Sequence, residues 1–138
     1  MNITLMAHDK KKELMVQFCT AYKSILSKHS LSATAATGRL VSEATGLPVT
    51  LFLSKSQGGH QQIDARIAYN EIDMVLFFSD PQSSDLDPDL KYINQMCDQY
   101  NIPFATNAAT AEILIHGLER GDLDWREIIN PALKPVTV

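Results

Sequence analysis

Met74-Val75-Leu76-Phe77-Phe78 is an unbroken apolar run, closed by Asp73 on one side and by Ser79-Asp80-Pro81 on the other. A strand with one wet face alternates polar and apolar residues, so a run without a polar residue reads as a strand covered on both faces. Such a strand belongs inside a sheet with helices above and below it. Shorter apolar runs at Ile3–Ala7, Leu31–Ala35, Val49–Leu53 and Ile102–Ala105 supply candidate neighbours. Between them lie helical patterns. Leu14, Met15, Phe18, Cys19, Tyr22, Ile25 and Leu26 recur at intervals of three and four, which predicts one amphipathic helix from Leu14 to Leu26. Leu40, Val41 and Ala44 begin a second pattern that stops at Gly46, and a third starts near Gly59 and carries Ile63, Ile67 and Ala68. Asp87-Pro88 opens a fourth with Leu90, Ile93, Met96, Cys97 and Tyr100, and Thr106-Asn107 opens a fifth through Ile113, Leu114 and Leu118. Strands alternating with helices predict an α/β fold, a three-layer doubly wound parallel sheet of about five strands with helices on both faces. Residues 1–138 are expected to form a single domain. From Asp122 onward Trp125, Ile128, Ile129, Pro131 and Pro135 show no long period, and a short helix with an extended tail is expected.

Charge and residue spacing narrow the partners. The net charge is −4 and the only run of positive charge is Lys10-Lys11-Lys12, so no nucleic-acid partner is expected. No apolar run approaches the length of a membrane span, and a first strand starting at Asn2 leaves no room for a signal peptide. A cytoplasmic protein without a membrane partner is expected. Cys19 and Cys97 fall on apolar helix faces, as reduced core thiols do, and His8, His29, His60 and His116 lack the spacing of a zinc motif. No metal is predicted, and His29 and His116 are assigned to helix surfaces.

In a parallel sheet, ligands bind beyond the carboxyl ends of the strands. That rim collects His8, Asp9 and Lys12 after the first strand, Thr34, Thr37 and Gly38 after the second, and Ser54 through His60 after the third. Asp80 follows the fourth strand and Thr106-Asn107 the fifth. Hydroxyls, a lysine and the N–H groups of Gly58 and Gly59 suit a phosphate, and histidine and aspartate beside it suit acid–base chemistry. Each residue also has a plain structural use. Thr34 and Thr37 can cap a helix, Asp80 can form a turn, Asp87 can cap the next helix, and paired glycines are common in strand-to-helix turns.

The segments Ala7-His8-Asp9-Lys10-Lys11-Lys12, Ala33-Thr34 to Thr37-Gly38, Gly58-Gly59-x-Gln61-Gln62, Phe77-Phe78-x-Asp80-Pro81, Asp87-Pro88-Asp89 and Asn101-Ile102-Pro103-x-Ala105-Thr106-Asn107 resemble the methylglyoxal synthase family. The resemblance runs in order from about residue 2 to residue 120. It implies conversion of dihydroxyacetone phosphate to methylglyoxal and inorganic phosphate, without a cofactor, in a homohexamer. A base removes a carbon-bound proton, and the resulting enediol expels phosphate. On matched positions the resemblance makes Lys12, Thr34, Thr37 and Ser54 phosphate contacts, His8 a histidine near the substrate oxygens, and Asp80 and Asp89 active-site carboxylates.

Several positions depart from the family pattern. Where the family has Gly-Gly-Asp-Gln-Gln, with the aspartate as presumed base, this chain has His60. Ser-Gly-Pro has become Ser54-Lys55-Ser56, Thr-Gly-Thr-Thr-Gly has become Thr34-Ala35-Ala36-Thr37-Gly38, and a histidine expected before Asp87 is Leu86. An imidazole titrating near about 6.5 can serve as a base at neutral pH. Two functions therefore stand: a phosphate lyase with His60 as substitute base, or a module that binds a small phosphorylated ligand or phosphate without turnover, as the related regulatory domain of carbamoyl phosphate synthetase does.

Overall fold

The computed structural model describes residues 1–83 and 87–129, without the side chains of Lys55 and Ile129. Leu86, Pro131 and Pro135 lie outside the described residues. Strands β1 (Asn2–Ala7), β2 (Ser30–Thr34), β3 (Val49–Phe52), β4 (Met74–Phe78) and β5 (Phe104–Ala105) form one sheet in the order β3-β2-β1-β4-β5. Every pairing is parallel, with Leu5 opposite Ala33 and Leu76, and Thr34 opposite Phe52. All carboxyl ends therefore point the same way. The order reverses direction at β1: the chain leaves β1 toward one face of the sheet and β4 toward the other, the switch point beyond whose carboxyl ends such sheets bind ligands.

Helices cover both faces. Strand β4 is buried at all five positions, as its sequence requires. Its side chains divide by period two: Met74, Leu76 and Phe78 join Ile3 and Leu5 of β1 in one core, whereas Val75 and Phe77 join Met6 in the other. The first core is closed by α1 (Lys12–Ala21), α2 (Lys23–Leu26), α3 (Ala35–Thr45) and α6 (Ala108–Arg120), and the second by α4 (Gly59–Ala68) and α5 (Pro88–Gln99). Cys19 and Cys97 sit one in each core, and burial pushes both thiols up to about 12. Both stay protonated and inert near neutral pH.

Three sequence expectations shift. The helix predicted from Leu14 to Leu26 breaks at Tyr22, whose ψ of 22° lets the Ile25 N–H bond the Tyr22 carbonyl three residues back. The second strand ends at Thr34 and not Ala35, because Thr34 is the last ladder residue and also the cap of α3. The fifth strand shrinks to Phe104–Ala105: the Ile102 N–H turns back to the Cys97 carbonyl, and Pro103 has no N–H to give. The region after Asp122 forms α7 (Trp125–Ile129). Among the described residues no helix is long and apolar enough to cross a membrane.

Candidate active site

At the carboxyl edge of the sheet lies a cavity of about 280 Å³, lined in part by His8, Asp9, Lys12, Thr34, Ser54 and His60. Its wall also includes Ala35 and Ala36 at the first turn of α3, Met6, Ala7 and Phe77 from the strands, and Asp87. The topology brings these residues together from positions as far apart as 6 and 87.

One side of the cavity carries groups of the kind that suit an anion. The helix α3 begins against it, with the unspent N–H groups and positive dipole end of an eleven-residue helix. Thr34 occupies the cap position, yet its hydroxyl makes no capping bond and remains available to a ligand. Lys12 donates to the Ala7 carbonyl at 2.9 Å and to Asp9 Oδ1 at 2.8 Å, which uses two of the three ammonium hydrogens. Those two bonds hold the ammonium on the rim. Ser54 also reaches the wall, while its hydroxyl contacts Ser56 Oγ at 3.2 Å and Gln57 Oε1 at 3.0 Å.

The opposite side carries the titratable groups. His8 sits between two protein partners: the Asp80 N–H donates to Nδ1 at 2.8 Å, and Nε2 lies 2.7 Å from Asp87 Oδ2. Because a backbone N–H can only donate, Nδ1 must accept, and the ring hydrogen belongs on Nε2 facing the carboxylate. His8 is thereby held as one neutral tautomer, with Phe77 against its ring at 5.2 Å. Asp87 serves two purposes at once. Its Oδ1 caps α5 through the Asp89 and Leu90 N–H groups, and its Oδ2 holds His8. His60, buried on the second residue of α4, places Nε2 3.7 Å from Asp89 Oδ2.

Not every predicted residue reaches the wall. Thr37 is buried one turn inside α3, and its hydroxyl has no hydrogen-bond partner among the described residues. Asp80 forms a turn, accepting from the Gln82 N–H and the Ser83 hydroxyl; these bonds, with Lys10 and Lys11 nearby, hold its carboxyl below the usual range. It shapes the site through its N–H on His8, not through its carboxylate. Asp89 stands behind His60. Gly58 and Gly59 do not line the cavity either, contrary to a phosphate cradle. Gly58 has φ of 95°, and a Cβ on Gly59 would fall 2.1 Å from the Leu53 carbonyl oxygen. The Gly59 N–H is spent on the Ser54 carbonyl. Both glycines serve the turn that delivers His60.

Sequence reasoning missed two carboxylates. Asp87 was visible only as a helix cap, since its bond to His8 spans 79 positions. Asp64 lies one turn beyond His60 on α4, a spacing that places both on one helix face. Burial, and secondarily the charge of Asp89, push the Asp64 carboxyl from 3.8 up to about 6. Between those values the folded protein holds a proton that the unfolded chain has lost, so stability declines as pH rises through this window. We expect Asp64→Asn to stabilise the fold at pH 7.5, by less than the full shift implies because the group is partly solvated, and to have little effect near pH 3.5. Thermal melts at the two pH values check this.

These features define a class: an open parallel α/β protein whose cavity at the carboxyl edge of its sheet gathers a helix start, a lysine, hydroxyls and imidazoles. Residues 14–106 match the MGS-like domain family, and the chain belongs to that family. It is 62% identical over 135 residues to the methylglyoxal synthase of Caldicellulosiruptor saccharolyticus, covering 97% of this chain and 96% of the relative. It is 55% identical over 130 residues to that of Oceanobacillus iheyensis, covering 94% and 93%. The crystal structure of methylglyoxal synthase from Elizabethkingia anophelis NUHP1 superposes with a TM-score of 0.76 at 37% identity, covering 83% of this chain and 76% of that one.

Proposed function

We propose that the protein is a phosphate lyase of the methylglyoxal synthase type, acting on dihydroxyacetone phosphate with His60 as the general base. The observation that carries this reading is the single cavity joining Lys12, Thr34, Ser54 and the start of α3 to the His60 imidazole. A triose phosphate spans such a space with its phosphate at the anion side and its hydroxymethyl carbon toward His60. His60 takes a proton from that carbon, and the C–H electrons form the enediolate. Those electrons then expel phosphate with cleavage of the C–O bond, and the enol product takes up a proton at the former phosphate-bearing carbon. Asp89, 3.7 Å from His60 Nε2, stabilises the imidazolium formed in the first step. The altered residues at the turn, His60 foremost, are the reason to expect slow turnover. Assembly as a homohexamer, a cytoplasmic location and a single-domain chain rest on the family resemblance and the sequence.

A second reading, a binding module without turnover, is favoured by one observation. Both ring nitrogens of His8 are engaged by Asp80 and Asp87, so His8 has no free lone pair to add to the chemistry. Incubation of the native protein and of His60→Asp with dihydroxyacetone phosphate separates the two readings. Methylglyoxal and phosphate release by the native protein, well above the uncatalysed background, supports the lyase. Absence of release from both proteins, with tight binding of the phosphorylated ligand, establishes the binding module instead.

The anion side has its own test. A charge-assisted hydrogen bond contributes about 1.5–3 kcal/mol, so Lys12→Ala is expected to weaken inorganic phosphate binding roughly 10- to 100-fold. Calorimetric titration with phosphate measures it.

A further inference from the structure

A second cavity, of about 320 Å³, opens at the amino edge of the sheet and shares no wall residue with the first. Its volume falls within the range of small-molecule pockets, about 300–1,000 Å³. Helix α4 connects the two cavities: His60, its second residue, lines the first, and Arg66, in its last turn, lines the other. On this face α4 packs on Met6 and Phe52, toward the carboxyl ends of β1 and β3. Toward the amino ends the same face carries Thr4, Ser32 and Thr50, aligned side by side across β1, β2 and β3. A strand sealed by helices on both faces is apolar throughout, so a row of hydroxyls marks a place where the sheet meets polar groups. Ser32 and Thr50 line the cavity, and the buried Thr4 hydroxyl shares a 2.9 Å hydrogen bond with Ser32.

The wall opposite the hydroxyls is charged but balanced. The Arg66 guanidinium lies over the Phe52 ring, 5.3 Å from its centroid, and Nη1 donates to Glu71 Oε2 at 3.4 Å. These contacts hold the guanidinium in place and leave most of its N–H groups available. An anion that reaches Arg66 meets the Glu71 carboxylate beside it, and a cation that reaches Glu71 meets Arg66, so neither sign of charge is favoured. A zwitterion would have to part the two side chains. A ligand hydroxyl both donates and accepts, and it matches the pair as it stands. Asn70 belongs to the same wall. Its Oδ1 accepts from Arg126 Nη2 at 3.0 Å, and its buried Nδ2 has no hydrogen-bond partner among the described residues. Buried donors left unpaired are rare in native folds, and a ligand oxygen against this wall supplies an acceptor.

We propose that this cavity binds a small neutral polyhydroxylated molecule, a sugar or polyol, with adjacent hydroxyls bridging Arg66 and Glu71 and others meeting Ser32 and Thr50. Leu31 and Ile72 in the wall offer apolar surface to its C–H groups. The site is independent of the chemistry at the carboxyl edge, because no residue serves both cavities.

The test is an NMR titration of backbone and side-chain amides in the full-length protein with D-glucose, D-ribose and myo-inositol, and with glycine and inorganic phosphate as zwitterionic and anionic comparators. At least one of the three polyols is expected to give saturable shifts at Ser30, Ser32, Thr50 and the Asn70 side-chain amide. Arg66→Ala is expected to weaken that binding roughly tenfold, the loss of one charge-assisted hydrogen bond, and Thr50→Val by a smaller factor. Both positions are exposed, so both variants are expected to fold. Absence of saturable shifts with all three polyols overturns the proposal. So do polyol affinities unchanged in both variants, or tighter binding of glycine or phosphate at the same residues.

Discussion

Arg126→Ala is expected to lower the melting temperature by roughly 10–20 °C, the largest stability effect of any single substitution considered. Arg126 is fully buried, and its guanidinium reaches two separate segments, residues 70–73 and 100–101. Nε lies 3.4 Å from Asp73 Oδ1, itself 1% exposed; Nη1 donates to the Tyr100 and Asn101 carbonyls; Nη2 donates to Asn70 Oδ1 at 3.0 Å and to the Ile72 carbonyl. Asn70 and Asn101 both hold positive φ, 55° and 54°, where the chain leaves α4 and α5. One side chain of α7 thus ties the ends of two helices to the amino end of β4. Asp73 Oδ2 accepts in turn from the Asn2 N–H at 2.8 Å, which brings β1 into the same network. Truncation leaves the Asp73 carboxylate buried without its cation, and breaking a buried pair in this way costs about 3–5 kcal/mol. Against total stabilities of about 5–15 kcal/mol that is a large share. Arg126→Lys keeps the charge and loses the planar fork, so it is expected to recover only part of the loss. A shift of only a degree or two for Arg126→Ala in calorimetry contradicts this account.

His60→Ala is expected to lower kcat/KM for dihydroxyacetone phosphate by about 10²–10⁴, the range for loss of a positioned general base. His60 is buried in the first turn of α4 and belongs to the wall of the cavity, so truncation removes the base without touching the anion side. Phosphate affinity should therefore survive in His60→Ala and be weakened in Lys12→Ala. That contrast separates chemistry from binding. Steady-state kinetics and phosphate titration on the same two variants provide the measurement. A His60→Ala rate within a few-fold of native contradicts a role in proton removal.

The layered fold could be read from the sequence because its signals are local. Met74–Phe78 announced a strand covered on both sides, Gly46 ended α3 with φ of 75°, and Asp87-Pro88 and Asn107 opened α5 and α6 as caps. The rim rule then carried His8, Lys12, Thr34, Ser54 and His60 to one cavity. What the sequence hid depends on distance along the chain or on orientation. Arg126 meets partners 25 to 56 residues away, and nothing near it in sequence distinguishes it from an exposed arginine. The His8–Asp87 bond is of the same kind. The two glycines of the turn were legible as special backbone, but whether their N–H groups face a ligand or the chain itself is a matter of orientation, and Gly59 turns inward. Asp64 was hidden for a third reason. A carboxylate on a helix ordinarily faces water, whereas this one is half-buried, with Oδ1 out of solvent and without a hydrogen-bond partner among the described residues.

The central claim is that His60 removes the carbon-bound proton, and the direct measurement is the rate of phosphate release from dihydroxyacetone phosphate carrying deuterium at the hydroxymethyl carbon. With an imidazole as the substitute base, breaking that C–H bond limits the rate. The native protein is expected to release phosphate more slowly from the deuterated than from the ordinary substrate. Equal rates from the two substrates contradict the claim.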